Sequence, residues 1–264
     1  MPELPDVEVF RRYLEATSLH KRVKEVQVHS RNMVEGAPVW KLRATLEGHA
    51  FQSTERHGKY MFAALDNTHS LVLHFGMTGF LKYFKDLEKN PPHERMLLSF
   101  YNGYHLAYDC QRKLGKISLT EDLEAFISEE NLGPDALDKE FDLGAFREVL
   151  SRSRSTVKSA LMNQNLMAGI GNVYSDEIFF QAGIHPKAKT QDLDEKATER
   201  LFQSMKEVLK TAIDSKANPK ELPDTYLIPR RKKGGKCPRC GKALRKEKIS
   251  CRSSYFCDQC QDIY

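Results

Sequence analysis

Residues 237–260 read CPRCGKALRKEKISCRSSYFCDQC, with Cys237 and Cys240 forming one CxxC pair and Cys257 and Cys260 the other. Two such knuckles, joined by a short polar segment, suit four thiolates around a tetrahedral zinc ion. A piece this small and polar is hard to fold by burial alone, and a metal supplies the missing staple. Four sulfurs close the coordination shell, so the expected zinc folds a β-hairpin and keeps no open position for chemistry. Redox chemistry would need only one such pair. Cys110 and Cys251 fall outside the pairs and read as ordinary buried or half-buried thiols.

The expected hairpin is basic. Arg245, Lys246, Lys248 and Arg252 lie between the knuckles, and Lys232, Lys233 and Lys236 precede them. Such a finger suits a phosphate backbone; it equally suits a solvated charged surface.

Working outward, the stretch KANPKELPD interrupts a helical pattern in which Ala197, Leu201, Met205, Val208, Leu209, Ala212 and Ile213 keep one face. The segment 129–140, EENLGPDALDKE, combines Gly-Pro with a charge run and reads as a linker or domain edge. Before it the texture changes. VKEVQV, YMFAAL, SLVLHF, MLLSF and YHLAY are short apolar and aromatic runs and read as strands. Asn102-Gly103 between two of them signals a two-residue hairpin turn. Val7, Phe10 and Leu14 share one helical face near the start. The first half is therefore expected to be a β-rich sandwich or barrel preceded by one helix.

The chain has 264 residues, 41 basic and 36 acidic, for a net charge of +5. That excess permits nucleic-acid binding without demanding it. No apolar run approaches the ~18–20 residues that span a bilayer. The start, MPELPDVEVFRR, carries prolines and carboxylates where a signal peptide needs a basic and then an apolar stretch, so an intracellular chain without membrane attachment is expected.

Four separated segments resemble the formamidopyrimidine-DNA glycosylase/endonuclease VIII family, and its formamidopyrimidine branch more closely. They are MPELPDVE at the start, Arg56-His57-Gly58-Lys59-Tyr60, the run QNLMAGIGNVY at 164–174, and the two CxxC pairs with Arg252 in RSSYFC. They span nearly the whole chain. The resemblance implies an α+β chain: an N-terminal helix plus β-sandwich domain (1–132), a helical helix–two-turn–helix domain (133–229) and a four-cysteine zinc-finger hairpin (230–264). It also implies a bifunctional DNA glycosylase and AP lyase of base excision repair, a monomer acting on damaged double-stranded DNA inside the cell, in the cytoplasm or nucleoid if the cell is bacterial.

In that family Met1 is removed and Pro2 becomes the nucleophile. A free α-amino group has a pKa of about 8, against about 10.4 for lysine, so much of it is neutral near physiological pH. Such an amine can attack the sugar C1′ and displace the base, and the resulting iminium promotes β- and then δ-elimination. By similarity Glu3 is the general acid/base, and Lys59 approaches a phosphate beside the lesion. His74, Lys158, Asn172 and Arg252 are DNA-facing, although a lone histidine in LVLHF is more often structural. Gly169 and Gly171 permit tight backbone geometry, and amides ahead of a helix can hold an anion. An extruded base leaves a gap, and Met77, Arg112 and Leu114 are its expected fillers. A catalytically silent damaged-DNA binder on the same scaffold is the alternative; an unrelated zinc-ribbon module would explain the cysteines and nothing else.

The sequence departs from the family in three places. Asp6 stands where glutamate is usual. Cys110-Gln111 replaces a proline-containing step one residue shorter, and Leu114 stands where the branch has phenylalanine. The segment 215–236, SKANPKELPDTYLIPRRKKGGK, lacks the glycine-rich loop that covers 8-oxoguanine. Weaker capture of 8-oxoguanine than of ring-opened purines or oxidised pyrimidines is expected from the last.

Overall fold

The structure is a computed structural model and describes residues 2–264. It divides into two units. One comprises Pro2 and Asp6–Glu130; the other comprises Glu3–Pro5 and Asn131–Tyr264.

Helix α1 spans Leu4–Ser18, and its part in the first unit, from Asp6 on, buries Val7 and Leu14. Strand β1 (Val23–Val28) and helix α2 (Val39–Leu46) follow, then β2 (Phe51–His57), β3 (Tyr60–Leu65), β4 (Ser70–His74), β5 (Gly79–Phe84), β6 (Glu94–Phe100), β7 (His105–Cys110), β8 (Lys116–Thr120) and helix α3 (Leu123–Glu129). They form two antiparallel four-stranded sheets, in the orders β1-β6-β7-β5 and β2-β3-β4-β8. Val26, Met96, Leu98 and Leu106 from one sheet share a core with Phe51, Met61, Leu71 and Leu73 from the other. This is the expected sandwich. It carries two helices, α2 and α3, beyond the single one anticipated.

The Asn102-Gly103 turn is a hairpin, but not a two-residue one. The Gly103 N–H donates to the Phe100 carbonyl and the Phe100 N–H to that of Tyr104, with Gly103 at φ +80°. The loop is thus Tyr101–Gly103, a turn closed by glycine in the left-handed region. Asn102 lacks the positive φ that a two-residue type I′ turn would need, so Tyr101 joins the loop and Gly103 alone is left-handed.

The second unit holds helices α4 (Leu143–Ser151), α5 (Val157–Met162), α6 (Asn172–Ala182) and α7 (Glu195–Asp214), then the hairpin strands β9 (Arg245–Ile249) and β10 (Arg252–Phe256). Helix α7 buries Leu201, Met205, Val208, Leu209 and Ala212 along one stripe, as its spacing requires. Helix α6 is buried on nearly all sides, from Tyr174 to Phe180. Asp142, Thr156 and Asp194 cap α4, α5 and α7 with their own side chains. Helix α6 has Gly171 at that position and takes its cap from elsewhere in the unit.

Among the described residues, no helix is long and apolar enough to cross a membrane.

Candidate active site and metal centre

Glu3 supplies the missing cap. Its Oε2 accepts from the N–H groups of Gly171 at 2.9 Å and Tyr174 at 3.2 Å, and its Oε1 from Val173 at 2.9 Å. The side chain is fully buried. The anion held by the amides ahead of α6 is therefore the chain's own carboxylate. This arrangement fixes the glycines. A Cβ at Gly171 would lie 2.3 Å from the Glu3 carboxyl carbon, and one at Gly169 (φ +114°) 2.5 Å from Leu4 Cδ1. Pro2, next in the chain, is half-buried. The expected removal of Met1 concerns a residue outside those described.

Lys59 sits at the second position of the two-residue turn between β2 and β3, after Gly58 at φ +57°. Glycine at the first position suits a primed hairpin turn. Arg56 braces this turn, bonding the Gly58 carbonyl at 3.1 Å and lying 3.4 Å from Glu8 of α1.

His74, at the end of β4, is partly buried against Tyr60, with ring centroids 4.9 Å apart. Its Nδ1 accepts the Gly76 N–H at 3.4 Å, which places the ring proton on Nε2. Burial lowers its pKa from 6.5 to about 4, reinforced by the charges of Lys59 and Lys116. The ring is a neutral hydrogen-bond donor. Tyr60 donates to Glu130 at 2.9 Å, and burial with that carboxylate raises its hydroxyl above the ordinary range.

The three expected gap-fillers lie on two adjoining loops of the first unit. Met77 is 38% exposed in the β4–β5 turn; Arg112 and Leu114 (49% exposed) lie between β7 and β8. A Cβ on Gly76 would fall 2.4 Å from the Leu114 carbonyl, so glycine alone allows the loops this close. The Arg112 N–H donates to Thr78 Oγ1 at 3.1 Å and ties them together. Nothing in the sequence singled out Thr78, because a threonine after a methionine carries no signal until the second loop is placed beside it.

Lys158 departs from its expected place. It is 0% exposed, with Nζ 2.6 Å from Asp176 and 3.0 Å from Ser175 Oγ. It faces the interior of the second unit, not DNA, because α5 packs on α6 at that position. Burial lowers its pKa, and Asp176 opposes that shift. The other Asp176 oxygen takes Arg231 Nε at 2.8 Å and the Tyr255 N–H at 3.0 Å. Asp176 thus joins α5, α6, the segment before the finger and strand β10. The next residue, Glu177, accepts the N–H groups of Leu227 at 3.1 Å and Ile228 at 2.7 Å. Its pKa rises to about 7 through burial, despite its bonds to Gln181 and these amides. Neither acid was foreseen; both look like ordinary helix-surface charges in the one-dimensional pattern.

Asn172 donates from Nδ2 to the Ser253 carbonyl at 2.9 Å, tying α6 to the hairpin. The second Nδ2 hydrogen remains for another acceptor. Arg252 is exposed at the base of the hairpin turn, opposite Ile249. Cys110 is buried, whereas Cys251 is exposed at that turn, contrary to the half-buried thiol expected. Cys251 lies there because the turn needs its two central residues in the left-handed region, with Ser250 at φ +49° and Cys251 at φ +61°.

The sulfurs of Cys237, Cys240, Cys257 and Cys260 all lie within 4.8 Å of one another, with Cys237–Cys260 at 3.8 Å and Cys240–Cys257 at 3.5 Å. Tetrahedral zinc with Zn–S of ~2.3 Å spaces its sulfurs by ~3.8 Å. The donor set fits one structural zinc.

Three family models match in succession: the formamidopyrimidine-DNA glycosylase N-terminal domain over residues 1–117, its H2TH domain over 132–222, and a zinc finger found in FPG and IleRS over 234–263. The formamidopyrimidine-DNA glycosylase of Syntrophomonas wolfei is 33% identical over 274 residues, covering 99% of this chain and 100% of that one. The enzyme of that name from Geobacter metallireducens is 34% identical over 269 residues, covering 99% and 100%. Among solved structures, a Lactococcus lactis Fpg complexed with FAPY-dG-containing DNA superposes with a TM-score of 0.89 at 30% identity, covering 98% of this chain and 99% of that one. With these matches running from the first residue to the last cysteine pair, the chain belongs to the formamidopyrimidine-DNA glycosylase family.

Proposed function

We propose that this chain is a bifunctional DNA glycosylase and AP lyase of base excision repair. The carrying observation is the Glu3 carboxyl, held in one orientation by three amides on the residue next to Pro2. With Met1 removed, the Pro2 nitrogen attacks C1′ and the damaged base departs with its bonding electrons, protonated as it leaves. Glu3 exchanges a proton with the deoxyribose as its ring opens, and the nitrogen becomes an iminium. Loss of the C2′ proton expels the 3′ phosphate. Loss of a second proton further along the sugar expels the 5′ phosphate. Lys59, His74, Asn172 and Arg252 meet phosphates of the duplex, and Met77, Arg112 and Leu114 fill the gap left by the extruded nucleotide. Lys158 acts from inside, by holding Asp176.

The working division is a catalytic domain over 1–132, a helix–two-turn–helix domain over 133–229 and a finger over 230–264. The chain acts as a monomer on damaged double-stranded DNA in the bacterial cytoplasm, at the nucleoid. Ring-opened purines or oxidised pyrimidines are better substrates than 8-oxoguanine, because the segment 215–236 lacks a glycine-rich cover and is pinned in its middle, at Leu227 and Ile228, by Glu177. Comparable excision of all three lesion classes from matched duplexes would refute that preference.

Borohydride trapping on abasic duplex tests the chemistry. A covalent adduct is expected, lost in Pro2→Gly and reduced in Glu3→Gln. No adduct from processed, zinc-loaded protein would leave a catalytically silent binder of damaged DNA.

A further inference from the structure

The chain has a single tryptophan, and it is not in a core. Trp40, in the first turn of α2, is 70% exposed. It borders a groove of about 730 Å³ that runs between α2 and the turn at Arg31–Met33. The remaining α2 contacts explain why the helix forms without it: Leu42, Thr45 and Leu46 are its buried residues, and the two leucines seat the helix on the sandwich. Leaving the largest apolar side chain in water serves no folding purpose, and tryptophan is prominent among residues that dominate protein interfaces.

The groove has a defined chemistry. Val34, Ala37, Pro38, Val39 and Ala44 give it an aliphatic lining. Arg31 and Arg43 stand at its edges, and neither guanidinium has a hydrogen bond or ion pair among the described residues. Glu47 also borders it but is engaged with the Val26 N–H at 2.9 Å. Two unpaired guanidiniums beside an exposed indole call for carboxylates near a bulky apolar group. A single-stranded nucleic acid would offer anions too. It prefers successive aromatic platforms, whereas this groove has one aromatic ring and small aliphatic walls.

We propose that the α2 groove docks a short acidic–apolar peptide segment of a partner protein, with Trp40 covering its apolar side chain and Arg31 and Arg43 taking its carboxylates. The site uses none of the residues assigned to base excision.

A random heptapeptide display library, selected on the zinc-loaded full chain and counter-selected on Trp40→Ala, tests this. Enriched peptides are expected to join aspartate or glutamate to leucine, isoleucine or phenylalanine. One such peptide, synthesised, should shift the emission of the sole tryptophan, and Arg43→Glu should weaken it by roughly tenfold or more through like-charge repulsion. Neutral or basic winners, or binding that survives both Trp40→Ala and Arg43→Glu, would overturn the proposal. So would a twelve-nucleotide single strand that shifts the emission with the same Arg43 dependence, which would make the groove a nucleic-acid site. Both variants should trap abasic DNA as the wild type does; a loss of trapping would tie the groove to the reaction and sink the assignment.

Discussion

In the first unit most residues assigned to the substrate stand on turns, with His74 at the end of β4: Lys59 between β2 and β3, Met77 before β5, Arg112 and Leu114 before β8. In the second unit, the exposed Arg252 apart, the charges that matter are sealed inside. Glu3, Lys158, Asp176 and Glu177 are all buried, each with hydrogen-bond partners. A sheet sandwich provides rigid edges from which short loops project. A helix buried on all sides has no such edge, so α6 acts through its terminus and through acids that clamp neighbouring segments. The contrast teaches where sensitivity lies. Side chains on the turns can change with little effect on stability, while the buried charges are bound up with folding.

Metal removal should break the second unit's finger most. Structural zinc contributes on the order of 10 kcal/mol to such a piece. Chelation is expected to free the amides of β9 and β10 for hydrogen exchange while β6 and β7 stay protected. Equal deprotection of both pairs would show that the two units do not respond separately.

Asp176→Ala comes next. It leaves Lys158 buried without its counterion and frees Arg231 and the Tyr255 N–H. A loss of about 3–5 kcal/mol is expected in urea unfolding. Lys158→Met should cost clearly less, since Arg231 and Tyr255 still hold the acid. If the two variants are equally damaging, the lysine rather than the aspartate is the hub.

The units should also differ in pH response. His74 has its pKa lowered from 6.5 to about 4, so its neutral form adds stability above pH 6.5 that is lost as pH falls toward 4. Glu177 has its pKa raised from 4.5 to about 7, so its contribution is full below pH 4.5 and is lost as pH rises toward 7. Each can contribute at most one proton, a slope of about 1.4 kcal/mol per pH unit. His74→Gln should flatten the acid limb of a stability profile, and Glu177→Gln should raise stability at pH 8 relative to pH 5. Matching profiles for the two variants would contradict these assignments.

Leu114→Phe probes the loops and has the smallest effect. An aromatic ring stacking in the gap is worth about 1 kcal/mol. Tighter binding to abasic duplex is expected with an unchanged melting temperature; unaltered affinity would place Leu114 outside the gap.

Much of this arrangement was legible in the chain. Cysteine spacing gave the metal ligands, since tetrahedral thiolate sites form from local knuckles. Short apolar and aromatic runs marked five strands, and period-3.6 spacing marked α7. Strands β2, β5 and β8 escaped notice because polar residues or a glycine interrupt their apolar runs, as in QSTERH, GFLKYF and KISLT. The hairpin at Asn102-Gly103 was readable, but its loop length depended on which residue took the left-handed position.

The sequence by itself determined the family and the zinc ligands, because those reside in motifs whose spacing is short. Tertiary structure alone decided what the charged residues do. Lys158 and Arg252 are both basic residues beside polar neighbours, yet one is fully buried on Asp176 and the other is exposed at a turn. Glu3 meets amides 168 or more positions away. Burial and long-range pairing arise from how segments pack, and packing sets both the cost of a charge and the partner that offsets it.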